Sequence, residues 1–300
     1  MVPTEFGCLL SAAATQKVCE LIKQAAVLGH PVGHSKSPVL HRTAYQLLGA
    51  PLNYEAIDLV PEQCAEHVAR LRSGNWAGSS VTMPLKDAFV PLMDEVSARV
   101  RQLGALNTIV VREDGTLFGE NTDIDGLVQA LADFSMTAAD QALILGSGNT
   151  SLAALQACAE LGVEHVTLVV RSVQRSRRAV DLAKELGLHP VVHEISGITR
   201  ELSDQLRLMP LVFSTLPPHA GDEWVPAIGS GNGILLDVAY DPWPSKLAAS
   251  WQGQVISGLH MLVHQAVEQV RLFAGAAWDE ERRVDVTNAM YDSLGLARHQ

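Results

Sequence analysis

Lys86 closes the run Val81-Thr82-Met83-Pro84-Leu85-Lys86, and three other polar stretches could meet it in one site. The loop His30-Pro31-Val32-Gly33-His34-Ser35-Lys36-Ser37-Pro38 precedes it and brings hydroxyls at Ser35 and Ser37. The run Glu120-Asn121-Thr122-Asp123 follows and brings a carboxylate. Beyond both lies Gly146-Ser147-Gly148-Asn149-Thr150-Ser151. A lysine held beside a carboxylate can exchange a proton with a reacting oxygen. A glycine loop opening a helix can cradle a pyrophosphate. A lone lysine is by habit a solvated surface charge; the company it keeps here lifts Lys86 above that habit.

The elements that must position these groups are legible along the chain. Residues 25–29 form a short apolar run ending in Gly29, the pattern of a buried first strand. Val39, Leu40, Ala44, Leu47 and Leu48 recur at helical spacing, with Pro38 near the helix start. Ser35 and Ser37 either cap that helix or face a cleft and bind a polyhydroxylated ligand. Residues 54–59 alternate as a strand, 62–71 have helical character, and 79–82 form a third strand. Pro84 cannot extend that strand, so residues 87–90 are expected to begin a helix and Lys86 to sit at a strand-to-helix corner, where side chains commonly face a cleft. A helix is predicted over residues 94–103, then Gly104 and a strand over 105–111. Asp114-Gly115 is a two-residue hairpin signal that turns residues 116–119 back onto that strand. Residues 124–134 read as a helix. This first part alternates strand and helix, the pattern of a mixed α/β layer.

The second unit opens with the strand 142–145, the glycine loop, a helix over 151–161 and a strand over 166–170. A bare glycine pattern can be an ordinary turn; strand, G-x-G-x-x-S and helix in succession give it the context of a dinucleotide site. Gly146 allows the tight turn, Gly148 lets a pyrophosphate approach, and Ser151 is small enough for close helix–strand packing. An acidic residue at the end of the second strand would bind ribose hydroxyls. Here Arg171 and Ser172 stand there, with Arg175 beyond, a set suited to a 2′-phosphate. Arg177 and Arg178 read as the solvated first turn of a helix. Two later buried strands, over 211–217 and 233–240, deliver polar residues, Thr215 and Tyr240 among them, at their C-terminal ends. The tail over 259–273 is one long amphipathic helix, and a second follows Asp285.

Composition narrows the function classes. The 300 residues suit one large domain or two ordinary ones, and 47% hydrophobic against 18% charged residues describe a globular chain. A net charge of −11 argues against a duplex nucleic-acid binder. Cys8, Cys19, Cys64 and Cys158 are scattered without a CxxC pair, as expected of reduced thiols in a cytoplasm. Residues up to Lys23 read as an irregular lead-in without the basic region of a signal peptide. No apolar run reaches the length of a membrane span.

Taken together, the loop around Ser35 and Ser37, Val81-Thr82-Met83-Pro84-Leu85-Lys86, Gly104-Ala105-Leu106-Asn107-Thr108, Asn121-Thr122-Asp123, the glycine loop, Asp237-Val238-Ala239-Tyr240-Asp241-Pro242 and Gly258-Leu259-His260-Met261-Leu262-Val263-His264-Gln265 occur in the order in which the shikimate dehydrogenase family carries them. The sequence resembles that family over nearly the whole chain after the first two dozen residues. The resemblance implies reversible reduction of 3-dehydroshikimate to shikimate with NADPH. It implies an α/β fold, with a mixed α/β substrate-binding catalytic domain over residues 1–123 completed by 258–300, and a Rossmann-type, doubly wound NADP-binding domain over 124–257. Lys86 and Asp123 would be the catalytic pair. Ser35 and Ser37 would bind the substrate carboxylate, Thr82, Asn107, Asp123 and Gln265 its hydroxyls and ring, and Tyr240 would line the pocket. Gly146, Ser147, Gly148, Asn149, Thr150, Ser151, Arg171, Ser172, Arg175 and Thr215 would hold the cofactor, with Gly258 and Met261 approaching its nicotinamide. Two departures stand out: Ser80 where the family commonly has Asn, expected to cap the turn, and Arg42 after His41 where the family often has Asn, expected to affect packing or surface contacts.

The chemistry stands beside the resemblance. Hydride addition to a ketone leaves charge on oxygen, which needs a proton or a cation as it develops; Lys86 held by Asp123 serves both needs. His260 and His264 share a helix face but no third ligand has suitable spacing, so no metal is expected, and His30, His34 and His41 are expected to be loop hydrogen-bonders. The expected partner is a small molecule, with no nucleic acid and no membrane, and the chain a monomer or homodimer. Two other readings remain: a quinate or dual quinate/shikimate dehydrogenase using NAD, and a dinucleotide-sensing module without turnover, which would not need Lys86, Asp123 and the serine loop together.

Overall fold

The computed structural model describes residues 22–297, so the expectations for residues 1–21, including Cys8 and Cys19, lie outside the described residues. The first strand, β1 (Lys23–Gly29), already includes Lys23, and it leads into α1 (Ser37–Leu48), β2 (Leu52–Asp58), α2 (Cys64–Ser73) and β3 (Trp76–Val81). Next come β4 (Glu95–Val96), α3 (Ala98–Leu103) and the hairpin of β5 (Thr108–Val111) and β6 (Leu117–Glu120). These strands form a six-stranded sheet in the order β2-β1-β3-β5-β6-β4, parallel around β1 and antiparallel from β3 to β6. Every residue of β3 is buried, as befits a central strand carrying the polar run to its C-terminal end.

Helix α4 (Asp123–Ala132) crosses to a second sheet, built by β7 (Gln141–Leu145), α5 (Asn149–Glu160), β8 (His165–Val170), α6 (Arg177–Glu185), β9 (His189–Glu194), α7 (Arg200–Leu206), β10 (Leu211–Ser214), α8 (Val225–Ile228), β11 (Ile234–Asp237), α9 (Lys246–Ser250) and β12 (Val255–Ser257). All its strand pairs are parallel, in the order β12-β11-β10-β7-β8-β9. Read from β7, that is the doubly wound 3-2-1-4-5-6 order, with its switch point between β7 and β10. The near-continuous apolar β7 and β10 reflect burial on both faces. One face carries Ile124, Leu127 and Leu131 of α4 with α5 and α6; the other is covered by Trp224, Ile228, Leu247 and Trp251.

The last helices, α10 (Gly258–Ala274) and α11 (Arg283–Ser293), return to the first sheet and close its core with α1. A close crossing joins α10 to α4. A Cβ on Gly126 would lie 2.7 Å from the Met261 carbonyl oxygen, so only glycine lets the two backbones approach this far. No helix among the described residues is long and apolar enough to cross a membrane.

Three local expectations change. No α-helix begins at residues 87–90; turns lead into a short 3-10 helix, Val90–Leu92. Pro91 has no N–H for an α-helical bond back to Asp87, whose carbonyl instead accepts from Val90 N at 3.2 Å. The helix expected over 94–103 shrinks to α3. Asp94 is drawn to Leu117 N (2.7 Å) and Arg72 (2.9 Å), and Ser97 caps the helix by accepting from Val100 N. The hairpin loop has three residues rather than two, with Arg112 N bonded to Thr116 O and Gly115 at φ +81 in the bulge position.

Candidate active site

The carboxyl end of β3 meets the N-terminus of α4 in a cleft of about 540 Å³ between the two sheets. Lys86 leaves the turn after β3, which is pinned by Leu106 N donating to the Lys86 carbonyl (2.8 Å). Its ammonium donates to Oδ2 of Asp123, the first residue of α4, and the two side chains are 12% and 7% exposed. Oδ1 of the same carboxylate accepts from Asn107 Nδ2 at 2.8 Å, and its backbone N–H donates to Asn121 Oδ1. Asn107 in turn accepts from Thr122 N and Thr108 Oγ1 and gives its second N–H to Thr122 Oγ1. A carboxylate at a helix N-terminus, fed by an amide and an ammonium, is a fixed acceptor.

Ser35, Ser37, Thr82, Asn107, Tyr240 and Gln265 all line the cleft with Lys86 and Asp123. The two readings of the serines coexist: Ser35 Oγ accepts from Ser37 N at 3.3 Å at the helix start, and both residues still face the cleft. Thr150, Thr215, Gly258 and Met261 enter it from the second sheet and α10. Burial and neighbouring Asp241 hold the Tyr240 phenol above its usual range.

Gly146, Ser147, Gly148, Asn149 and Ser151 lie outside the cleft lining, at the switch point behind Thr150 and Thr215. Gly146 sits at φ +111, where other side chains strain. A Cβ on Gly148 would meet nothing within 4 Å, and α5 starts just after it with no side chain capping its first N–H groups. These features fit a pyrophosphate. Ser151 is fully buried and its Oγ sits 2.6 Å from Thr215 Oγ1, which donates to the Leu145 carbonyl, so this pair braces the loop. Arg171, Ser172 and Arg175 follow β8 outside the cleft, with both arginines exposed. Arg177 and Arg178 are exposed in the first turn of α6, as expected, and Arg178 also donates to the Leu103 carbonyl at the end of α3.

Sequence reasoning missed Gln269, a buried floor residue of the cleft, although it continues the spacing of Met261 and Gln265 along α10. Ser80 does not cap the turn: it accepts from Tyr54 OH (2.6 Å) and donates to Gln269 Oε1 (2.7 Å). Arg42 donates to the Tyr54 carbonyl at 2.8 Å, a packing contact. His30 pairs with Asp58 from its loop, but His41 belongs to α1, buried and stacked on Tyr54 with ring centroids 3.9 Å apart. His264 bonds Asp133 (2.7 Å), and Tyr291 lies 3.3 Å from His260 Nδ1 and 3.0 Å from His264 Nε2.

Comparison with known proteins agrees with this geometry. The sequence profile of the shikimate dehydrogenase substrate binding domain matches residues 27–109. A shikimate dehydrogenase (NADP(+)) of Oleidesulfovibrio alaskensis is 36% identical over 260 residues, covering 83% of this chain and 88% of that protein. The pentafunctional AROM polypeptide of Yarrowia lipolytica is 34% identical over 268 residues, 83% of this chain but only 16% of that much longer protein. The crystal structure of Mycobacterium tuberculosis shikimate dehydrogenase superposes with a TM-score of 0.79 at 38% identity, covering 89% of this chain and 99% of that one. The chain belongs to the shikimate dehydrogenase family.

Proposed function

We propose that this chain is an NADP-dependent shikimate dehydrogenase that interconverts 3-dehydroshikimate and shikimate in the cytoplasm. The observation that carries the reading is the Lys86–Asp123 pair, set in a hydroxyl-lined cleft that opens toward the glycine loop of a doubly wound sheet. Residues 1–123, completed by 258–300, then serve as the substrate-binding catalytic domain, and residues 124–257 as the cofactor domain.

Bound NADP supplies hydride exchange; the chain supplies placement and the proton. Ser35 and Ser37 bind the substrate carboxylate at the mouth of α1, while Thr82, Asn107 and Gln265 hold the hydroxyls. As the ketone is reduced, negative charge grows on its oxygen, and the Lys86 ammonium stabilises that charge and gives the oxygen its proton. Asp123 keeps the ammonium aimed and accepts a hydrogen bond from a neighbouring substrate hydroxyl. In the oxidation direction the same pair takes the hydroxyl proton away. The first N–H groups of α5, with Gly146 and Gly148, hold the pyrophosphate. Arg171, Ser172 and Arg175 bind the 2′-phosphate, Thr215 borders the cofactor, and Gly258 and Met261 stand beside the nicotinamide.

Initial rates with NADP or NAD against shikimate or quinate test this directly. Shikimate with NADP is expected to be the fastest combination. Dominant turnover of quinate with NAD would replace the reading with the quinate enzyme, and no turnover in any combination would leave a cofactor sensor.

A further inference from the structure

The Gln269 amide is saturated on both sides. Its Oε1 receives Ser80 Oγ at 2.7 Å and His41 Nε2 at 3.3 Å, while its Nε2 donates to the Asn107 carbonyl at 3.1 Å and Thr108 Oγ1 at 3.0 Å. Two donors facing one end and two acceptors facing the other leave a single orientation for this amide. The direction is inherited from outside the cleft. Tyr54 donates to Ser80, and His41 must carry its hydrogen on Nε2 because the carbonyl oxygen facing it cannot donate. Burial keeps the His41 imidazole neutral, with its pKa lowered to about 3, so Nδ1 is free to accept from Tyr45 OH at 3.1 Å.

The direction continues inward. Thr108 Oγ1, accepting from Gln269, spends its own hydrogen on Asn107 Oδ1 at 2.7 Å. Together with Thr122 N, which donates to the same Oδ1 at 2.8 Å, that fixes the Asn107 amide with Nδ2 toward Asp123 Oδ1. One path of donors, from Tyr54 through Ser80, Gln269, Thr108 and Asn107, joins the edge of this network to the carboxylate that holds Lys86. We propose that Gln269 is a positioning residue: bonded to the Asn107 carbonyl and, through Thr108, to the Asn107 amide, it holds in place the donor that Asn107 offers Asp123 beside Lys86. This rests on the dehydrogenase reading of the same cleft. Chains of this kind polarise one another, and removing a middle link leaves buried partners unmatched.

The other titratable groups near Asp123 are Lys86 beside it, Asp125 two residues along α4 paired with Arg99, His34 from the loop before α1, and Tyr240 and Asp241 after β11. On α10, His260 and His264 turn to Tyr291 and Asp133 instead. Loosening Asn107 therefore leaves Asp123 with a weaker donor against an otherwise unchanged set of charges.

The test is the pH profile of shikimate oxidation in wild type, Gln269→Met and Thr108→Val, with NADP affinity and thermal midpoint measured alongside. Gln269→Met is expected to lower kcat at least tenfold and to move the acid limb upward by about one pH unit, with NADP affinity unchanged. Thr108→Val removes one hydroxyl from the chain, tolerates folding better, and should shift the limb in the same direction. Should Gln269→Met fail to fold, Thr108→Val decides alone. The double variant should lose little more than Gln269→Met, since both cut one path. A lowered thermal midpoint with a wild-type pH profile and kcat would make Gln269 a packing residue only and overturn the inference. An inactive wild type would instead overturn the dehydrogenase reading beneath it.

Discussion

The Lys86 ammonium donates to Asp123 Oδ2 where both side chains are nearly out of water, 12% and 7% exposed. Removing one member of such a pair leaves an uncompensated charge, a loss of about 3 kcal/mol or somewhat less at this depth. Lys86→Ala is expected to cut kcat by about 10² or more while circular dichroism shows the fold retained. The double variant Lys86→Met with Asp123→Asn should recover stability without recovering turnover. Near-normal kcat in Lys86→Ala would remove this lysine from the chemistry.

Buried neutral histidines make stability depend on pH. Burial lowers the pKa of His41 from 6.5 to about 3, and burial with nearby Arg70 lowers His67 to about 4. In both cases the unfolded chain binds a proton that the folded one refuses, so stability is full above pH 6.5 and falls as the pH drops toward the folded-state values. At pH 5 each histidine accounts for a loss of about 2 kcal/mol. Urea unfolding of His41→Asn from pH 7 to 5 should show a slope shallower by about one proton than wild type. Parallel slopes would show that His41 does not titrate between the two states.

What the sequence disclosed and what it withheld divide along the range of the interactions. The strands around Val27, Ser80, Leu143 and Phe213 and the glycine loop were legible because short apolar runs and small turn residues carry their own geometry, whereas the Lys86–Asp123 encounter came from the family resemblance. Residues 94–103 looked helical, but Asp94 is claimed by Leu117 and Arg72 from distant segments. His41 read as a loop residue although the helical spacing of Val39, Leu40 and Ala44 spans it, and nothing local reveals that Tyr54 and Gln269 close over it. Gln269 carried a signal in its spacing from Gln265, but its partners Ser80, Asn107 and Thr108 lie on or beside strands more than 150 residues away in the chain. Long-range polar pairing has no period to read.

Cofactor choice turns on Arg171, which follows β8 where an acidic residue would favour ribose hydroxyls. A guanidinium can grip a 2′-phosphate with two hydrogen bonds. Arg171→Asp should therefore weaken NADP by about tenfold or more while sparing NAD, because it removes an attraction and adds a repulsion. Fluorescence titration with both cofactors decides it: equal loss for the two means that Arg171 does not read the phosphate.

Substrate choice should follow from the carboxylate end of the cleft. Quinate bears an additional hydroxyl on the carbon that carries the carboxylate, beside Ser35 and Ser37 in the proposed binding mode. Below them the floor offers little spare capacity: Ser80 already accepts from Tyr54 and donates to Gln269, and Gln269 is saturated. A buried hydroxyl left without a partner loses ~1–3 kcal/mol, roughly ten- to a hundred-fold in kcat/KM. Shikimate oxidation with NADP is therefore expected to exceed quinate oxidation by at least about tenfold in kcat/KM. Tyr54→Phe would free a lone pair on Ser80 at the floor, and it should narrow that ratio if the unmatched hydroxyl is the cause. Comparable kcat/KM for the two acids in the wild-type enzyme would show that the cleft accommodates the extra hydroxyl and would promote the dual-specificity reading.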